Sequence, residues 1–231
     1  MSDLSARVEA RLAHVREQLR QAFADAPGRD DVCLTCSFQA EDVLLLKLAL
    51  ELRPALPTLF LDTGYHFAET YAYRDRIARE WDVRLINLLP LQTVAEQEAQ
   101  HGLLYQTSPD RCCAARKVEP LFRAVANHKV WITGLRREQA KTRAALEESA
   151  LFTLPGGKPV LKLSPLAHFT TADVWHACEA LNIPLLPLYA RGYSSIGCEP
   201  CTSLPLATGD ARSGRWGGRK VECGIHIEAA K

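Results

Sequence analysis

Short β-rich apolar runs alternate with helical runs along most of this chain, and that alternation constrains its fold more than any other feature. DVCLTCSF (Asp31 to Phe38) is followed by the helical AEDVLLLKLALEL. TLFLDT (Thr58 to Thr63) predicts a second strand, followed by the helical HFAETYAYRDRIAREW. VRLINLLP predicts a third strand, KVWITGL (Lys129 to Leu135) a fourth and PVLKLSPL a fifth. Strands that alternate with helices pair in parallel, because each crossover returns the chain to the same end of the sheet. The expected fold class is therefore α/β, a doubly wound, mostly parallel sheet. No internal repeat or low-complexity tract competes with this reading. Ahead of the first strand, Leu4, Val8, Leu12, Val15, Leu19 and Phe23 recur at spacings of three and four. They predict an amphipathic helix packed on the core or on a second subunit. From Pro184 onward the chain is rich in Pro, Gly and Arg and reads as loop and a C-terminal flexible tail. The expected division is an N-terminal helix over 1–28, a sheet domain over 29–203 and a tail over 204–231.

Charge and composition exclude several function classes. The net charge is +1, with 28 basic and 27 acidic residues, so there is no footprint of bulk nucleic-acid or membrane binding. No apolar run reaches the ~18 residues that a membrane span needs, and the N-terminus lacks a signal-peptide core. Eight cysteines without a secretory signal point to a reducing compartment, hence a cytoplasmic protein, where thiols bind metals or act in catalysis.

In a sheet of this kind ligands bind at the carboxyl ends of the strands. SFQAED (Ser37 to Asp42) leads from strand into helix there. Ser37 and Gln39 are placed to donate to a phosphate at a helix start, although Ser37 as a simple helix cap is an equal reading. LDTGYHFAET places Asp62, Thr63 and Gly64 at the next strand end, where glycine permits close approach to a ligand and an Asp-capped turn is the alternative.

The eight cysteines need separate accounts. Ser108-Pro109 starts a helix and puts Cys112 and Cys113 in its first turn, where free N–H groups favour thiolates. Adjacent helical residues point about 100° apart, which suits a single ion poorly. Cys198 and Cys201 in GCEPC have metal-knuckle spacing. Four cysteines, two from each element, fit a 4Fe–4S cluster, whose separate corners accept adjacent ligands. Lys117, one turn past Cys113, would offset its negative charge. Structural zinc and a vicinal disulfide remain as alternatives. Cys223, in VECGIHIE, has Arg219 and Lys220 just upstream, and cations raise the thiolate fraction. It reads as a nucleophile or as a spare surface thiol. Cys33 and Cys36 imitate a redox pair, but residues three apart on a strand face opposite sides. They and Cys178 read as buried apolar residues, and His66, His168 and His176 as structural.

Taken in order, SFQAED, LDTG…F…ET, RCC…RK, TGLRREQ…TR, GCEPCT, R…GRW and ECGIH resemble the assimilatory adenylylsulfate (APS) and phosphoadenylylsulfate (PAPS) reductases. The likeness runs from about Asp31 to the end. The CC…CxxC pattern resembles the bacterial APS-type branch that carries a 4Fe–4S cluster. The resemblance implies an adenine-nucleotide α-hydrolase-like fold. It implies that Cys223 attacks the sulfur of APS, that AMP leaves, and that a thiosulfonate forms which a dithiol discharges as sulfite. It implies basic contacts to substrate from Arg136, Arg137, Arg143, Arg212 and Arg215. It further places Ser37 and Gln39 at the phosphate end, Asp62 to Gly64 near the nucleotide, and Gly134 and His226 in the same site. Lys117 would couple the cluster's charge to the substrate. Plant-type relatives carry a fused thioredoxin-like domain, whereas this chain stops eight residues after Cys223. The expected reductant is a separate thioredoxin or glutaredoxin. The rival readings are a PAPS reductase, a PP-loop ATP pyrophosphatase or tRNA sulfurtransferase, and a non-catalytic iron–sulfur or zinc module. The second would want an SGGxDS loop, from which SFQAED departs, and the third gives ECGIH no purpose.

Overall fold

Val32–Thr35 (β1), Thr58–Leu61 (β2), Leu85–Leu88 (β3) and Val130–Thr133 (β4) are four-residue strands, each cut from one of the apolar runs. In the computed structural model they join Ser149–Thr153 (β5) and Pro159–Leu163 (β6) in one sheet of order β3-β2-β1-β4-β6-β5. The residues described are 3–206, 212–220 and 222–225. Every pairing is parallel except β5 on β6, which is antiparallel from Ser149↔Leu163 to Thr153↔Pro159. β5 escaped the sequence reading. Of its five residues only Phe152 is buried, as expected of an edge strand with no apolar alternation, and Gly156 and Gly157 turn it back with φ of 93° and 86°.

The helices are α1 (Asp3–Asp25), α2 (Ala40–Leu52), α3 (Ala68–Glu80), α4 (Val94–His101), α5 (Leu104–Thr107), α6 (Pro109–Cys113), α7 (Glu119–Val125) and α8 (Thr171–Ala180). Alternation along β1 sends Val32 and Leu34 into a core with α1, α2 and α8. Cys33 faces the other way, into a core with Trp131, Leu121 and Val125. The sheet is thus covered on both faces. Cys33 and Cys36 lie in different cores, both buried, and Cys178 is buried with Cys36.

The stripe on α1 is covered by this same chain. Val15 and Leu19 are fully buried, each contributing about 1.5–3 kcal/mol by burial. Asp173, at the start of α8, is also fully buried and accepts from Arg7 Nη2 at 2.7 Å and from Arg11. The buried stripe of α1 therefore shares the sheet's core. Arg215 and Trp216 are 5% and 3% exposed, so the described part of the C-terminal segment is seated on the body. No helix among the described residues is long and apolar enough to cross a membrane.

Candidate active site and cysteine cluster

Strand order reverses at β1, whose neighbours β2 and β4 lead away in opposite directions, and the loops leaving β1 and β4 part to open a crevice. A cleft of about 400 Å³ lies there. Ser37, Gln39, Gly134 and Arg136 line it from the loops after β1 and β4, Asp42 from the first turn of α2, Trp175 from α8, and Arg212, Arg215, Cys223 and Ile225 from the C-terminal segment. Lys117 and Arg143 complete a basic wall.

The loop after β1 is tightly tied. Asp42 accepts from the Ser37 N–H at 2.7 Å and the Ser37 Oγ at 2.6 Å. Burial, and then Glu41, raise the Asp42 carboxyl to about 7, against these hydrogen bonds and the pull of Arg143. Gln39, not Ser37, is the cap residue of α2, and it makes no side-chain cap bond. Its Nε2 donates to Ser37 and its Oε1 accepts from the Ile196 N–H at 2.8 Å. Phe38, between them, is buried with φ 60°, a strained conformation for a non-glycine residue. Gly134 is required by space, because a Cβ there would overlap Asp42 Oδ1.

Several expected positions fall elsewhere. Arg137 donates to the Leu146 carbonyl at 2.8 Å and contacts His168, and it does not line the cleft. Asp62, Thr63 and Gly64 do not line it either. Asp62 accepts from Tyr71 and pairs with Arg74, while Thr63 Oγ1 lies 3.3 Å from Cys198 Sγ. Arg136 reaches the cleft, but its Nη1 also contacts Glu138 and the Phe169 carbonyl. His226 lies outside the described residues.

Cys112, Cys113, Cys198 and Cys201 are all buried free thiols that face one small cavity with Tyr65, Tyr105 and Trp216. Pro109 opens α6 as read, but Ser108 makes no side-chain cap bond. The chain then passes through a π-helical turn, Ala114–Val118, before α7. Such turns frequently mark functional sites. This one holds Arg116 and Lys117, both buried. Arg116, not anticipated as functional, donates to the Thr63 carbonyl at 2.5 Å and to Gln97 at 3.2 Å, and so fixes the loop that touches Cys198. The Cys112 thiol is pushed up to about 11 by burial and then by Cys113, Cys198 and Cys201, and burial likewise raises Cys113 and Cys201.

Two cations answer those sulfurs. Burial would lower the Lys117 ammonium, yet Cys198, Cys223 and Cys113 raise it overall. Arg215 is stacked 4.6 Å over Trp216 and its Nε has no partner; burial lowers its guanidinium overall, against the pull of Cys198, Cys223, Cys201 and Cys113. Buried cations require an anion, so this surrounding fits an anionic group held by four thiolates. Among the described residues no three or more His, Cys, Asp or Glu side chains are set to hold one metal ion.

Cys223 packs against Cys113, Cys198, Cys201 and Trp216, and half-exposed it lines the cleft. Its cationic neighbours are not those next to it in sequence. Arg219 donates to the Gln106 carbonyl at 2.6 Å, and Lys220 pairs with Asp110 at 2.5 Å. Lys117, Arg212 and Arg215 take that place, since Cys223 acts on the ionisation of each.

The chain is 38% identical to the adenosine 5'-phosphosulfate reductase of Mycolicibacterium smegmatis, across 98% of this chain and all of that one. Its fold resembles the crystal structure of a phosphoadenylyl-sulfate reductase from Candida auris, with TM-score 0.69 and 22% identity over 88% of this chain and 98% of that one. It also resembles yeast FAD synthetase in complex with FAD, with TM-score 0.67 and 18% identity over 88% and 69% of the two chains. These two likenesses show the adenine-nucleotide α-hydrolase-like fold. Residues 31–204 match the phosphoadenosine phosphosulfate reductase domain, and the chain belongs to that family.

Proposed function

We propose that the protein reduces APS to sulfite and AMP, with electrons from a separate dithiol protein, thioredoxin or glutaredoxin. The observation that carries this reading is Cys223 lining a cleft whose wall also holds Lys117, Arg143, Arg212 and Arg215. A thiolate meets a dianionic phosphosulfate only where positive charge outweighs their repulsion. Arginine forks are suited to the sulfate and phosphate oxygens. The Cys223 thiolate attacks the sulfur, the S–O bond to phosphate breaks, and AMP leaves with the electron pair. A thiolate of the dithiol partner then attacks Cys223 Sγ, sulfite leaves with the electrons of the S–S bond, and the partner's second thiol releases Cys223 as the partner becomes a disulfide. Ser37 and Gln39 line the cleft on the β1 side for the nucleotide, beside Gly134.

Cys112, Cys113, Cys198 and Cys201 are the residues that would hold a 4Fe–4S cluster. When bound, it supplies negative charge that Lys117 and Arg215 balance, and Lys117, which lines both cavities, links that charge to the substrate. Incubation with APS and no reductant tests the reaction. One AMP per site and an adduct of ~80 Da, the mass of one SO3 group, on the Cys223 peptide are expected of a covalent nucleophile. Reduced thioredoxin should discharge it as sulfite, and Cys223→Ser should form none. Parallel incubation with PAPS decides between the two nucleotides. An adduct on Cys33, Cys36 or Cys178, or turnover by Cys223→Ser, would overturn the mechanism.

A further inference from the structure

Glu222 immediately precedes Cys223, and its carboxylate pairs with Arg143 and Arg212, two of the arginines that line the cleft. Its side chain is 8% exposed. Arg143 grips it with both edges of the fork, Nε to Oε1 at 2.8 Å and Nη2 to Oε2 at 2.7 Å. Thr142 Oγ1 donates to Oε1 at 3.1 Å, and Arg212 Nη2 approaches Oε2 at 3.7 Å. Burial alone would raise the Glu222 carboxyl, but Arg143 and Arg212 hold it below the usual carboxylate range. On the other side of Cys223 the chain turns at Gly224, with φ 93°, and Ile225 enters the core that contains Leu121 and Val125. Cys223 is thus held between an ionic anchor one residue before it and an apolar anchor two residues after it.

We propose that Glu222 is a positioning residue: its ion pair with Arg143 and Arg212 seats Cys223 in the cleft and sets the two guanidiniums beside the nucleophile. Two arginines that repel each other need an anion between them to stay adjacent, and Arg143 does act against the charge of Arg212. Bidentate, largely desolvated pairs are strong and geometrically specific. The carboxylate therefore links two things that must coincide, the seat of the thiol and the alignment of the anion-binding forks. The inference rests on the reaction proposed above for its kinetic readout, but not for its chemical one.

The experiment compares Glu222→Gln and Glu222→Asp with the unmodified protein. The first readout is the rate of Cys223 alkylation by iodoacetamide, followed by peptide mass spectrometry without substrate. An unseated thiol should react about 10-fold faster in Glu222→Gln, as expected for losing about 1.4 kcal/mol of tethering. The second readout is the single-turnover burst of AMP from APS. It should slow at least 10-fold in Glu222→Gln with AMP affinity within about twofold, and Glu222→Asp should recover part of both effects. The swap Glu222→Arg with Arg143→Glu should restore slow alkylation, which a mere folding defect would not do. Unchanged alkylation in Glu222→Gln overturns the anchor. Tighter AMP binding with an unchanged burst also overturns it, making Glu222 a competitor for the arginines. If the unmodified protein gives no burst, the reaction fails as a reading while the alkylation result still decides the anchor.

Discussion

Substituting Gly197→Ala should weaken substrate binding by moving a residue it does not replace. The backbone of Gly197 is not in the left-handed region, so alanine is conformationally permitted. A Cβ there, however, would sit 2.5 Å from Arg215 Cζ and overlap both of its Nη atoms. Ordinary contact needs about 1 Å more than this, so the guanidinium must leave its seat over Trp216. Arg215 is only 5% exposed, so there is little room beside that seat. Loss of one charge-assisted contact costs about 1.5–3 kcal/mol, which is roughly 10- to 150-fold in Kd. The assay is calorimetric titration of APS into anaerobic protein carrying Cys223→Ser, which prevents turnover. Gly197→Ala and Arg215→Ala should each weaken APS by that factor. Combined, they should be no worse than Arg215→Ala alone, because two changes that remove the same contact are not additive. Iron content guards against an indirect effect through Cys198. APS affinity within twofold of the parent, or strict additivity, would show that Gly197 does not hold open the seat of Arg215.

Two further expectations concern the cluster and the fold. Cys112→Ser, Cys113→Ser, Cys198→Ser and Cys201→Ser should each lose iron and the broad absorbance near ~400 nm of an iron–sulfur protein, whereas Cys178→Ser should keep both; full iron in any of the first four removes that residue from the ligand set. Asp173→Asn should destabilise the protein by about 3 kcal/mol, less than a fully buried pair because Arg7 and Arg11 reach water, and lower Tm by roughly 6–12 °C. Burial would raise the Asp173 carboxyl, but the Thr170 N–H, Arg7, the Thr170 hydroxyl and Arg11 lower it overall. Its contribution is therefore present above the ordinary Asp pKa of about 3.9 and lost as pH falls through the depressed folded value. Thermal melts of the two proteins should differ at pH 7 and converge in strong acid; a constant gap would assign the loss to packing instead.

Local periodicity by itself determined most of the fold. α2 spans Ala40–Leu52, the helical run read from sequence, and the stripe from Val8 to Phe23 is the buried face of α1. Both follow from near neighbours, because a side chain's face is set by its place in a repeat of two or 3.6 residues. The opposed burial of Cys33 and Cys36 follows in the same way. β5 was not legible, since an exposed edge strand carries no alternation and exists only because β6 pairs with it. The charged site was the least legible. Arg219 and Lys220 precede Cys223 in sequence, yet α5 and α6 take up their charge, and Lys117, Arg212 and Arg215 stand near the thiol instead. Thr63 was read toward the nucleotide but touches Cys198, because Arg116 pulls its loop toward the π-helical turn. Arg143 pairs with Glu222 across 79 residues. Hydrogen-bonded charges choose partners by distance and burial, quantities that arise only once the sheet has brought β1, β4 and the C-terminal segment together.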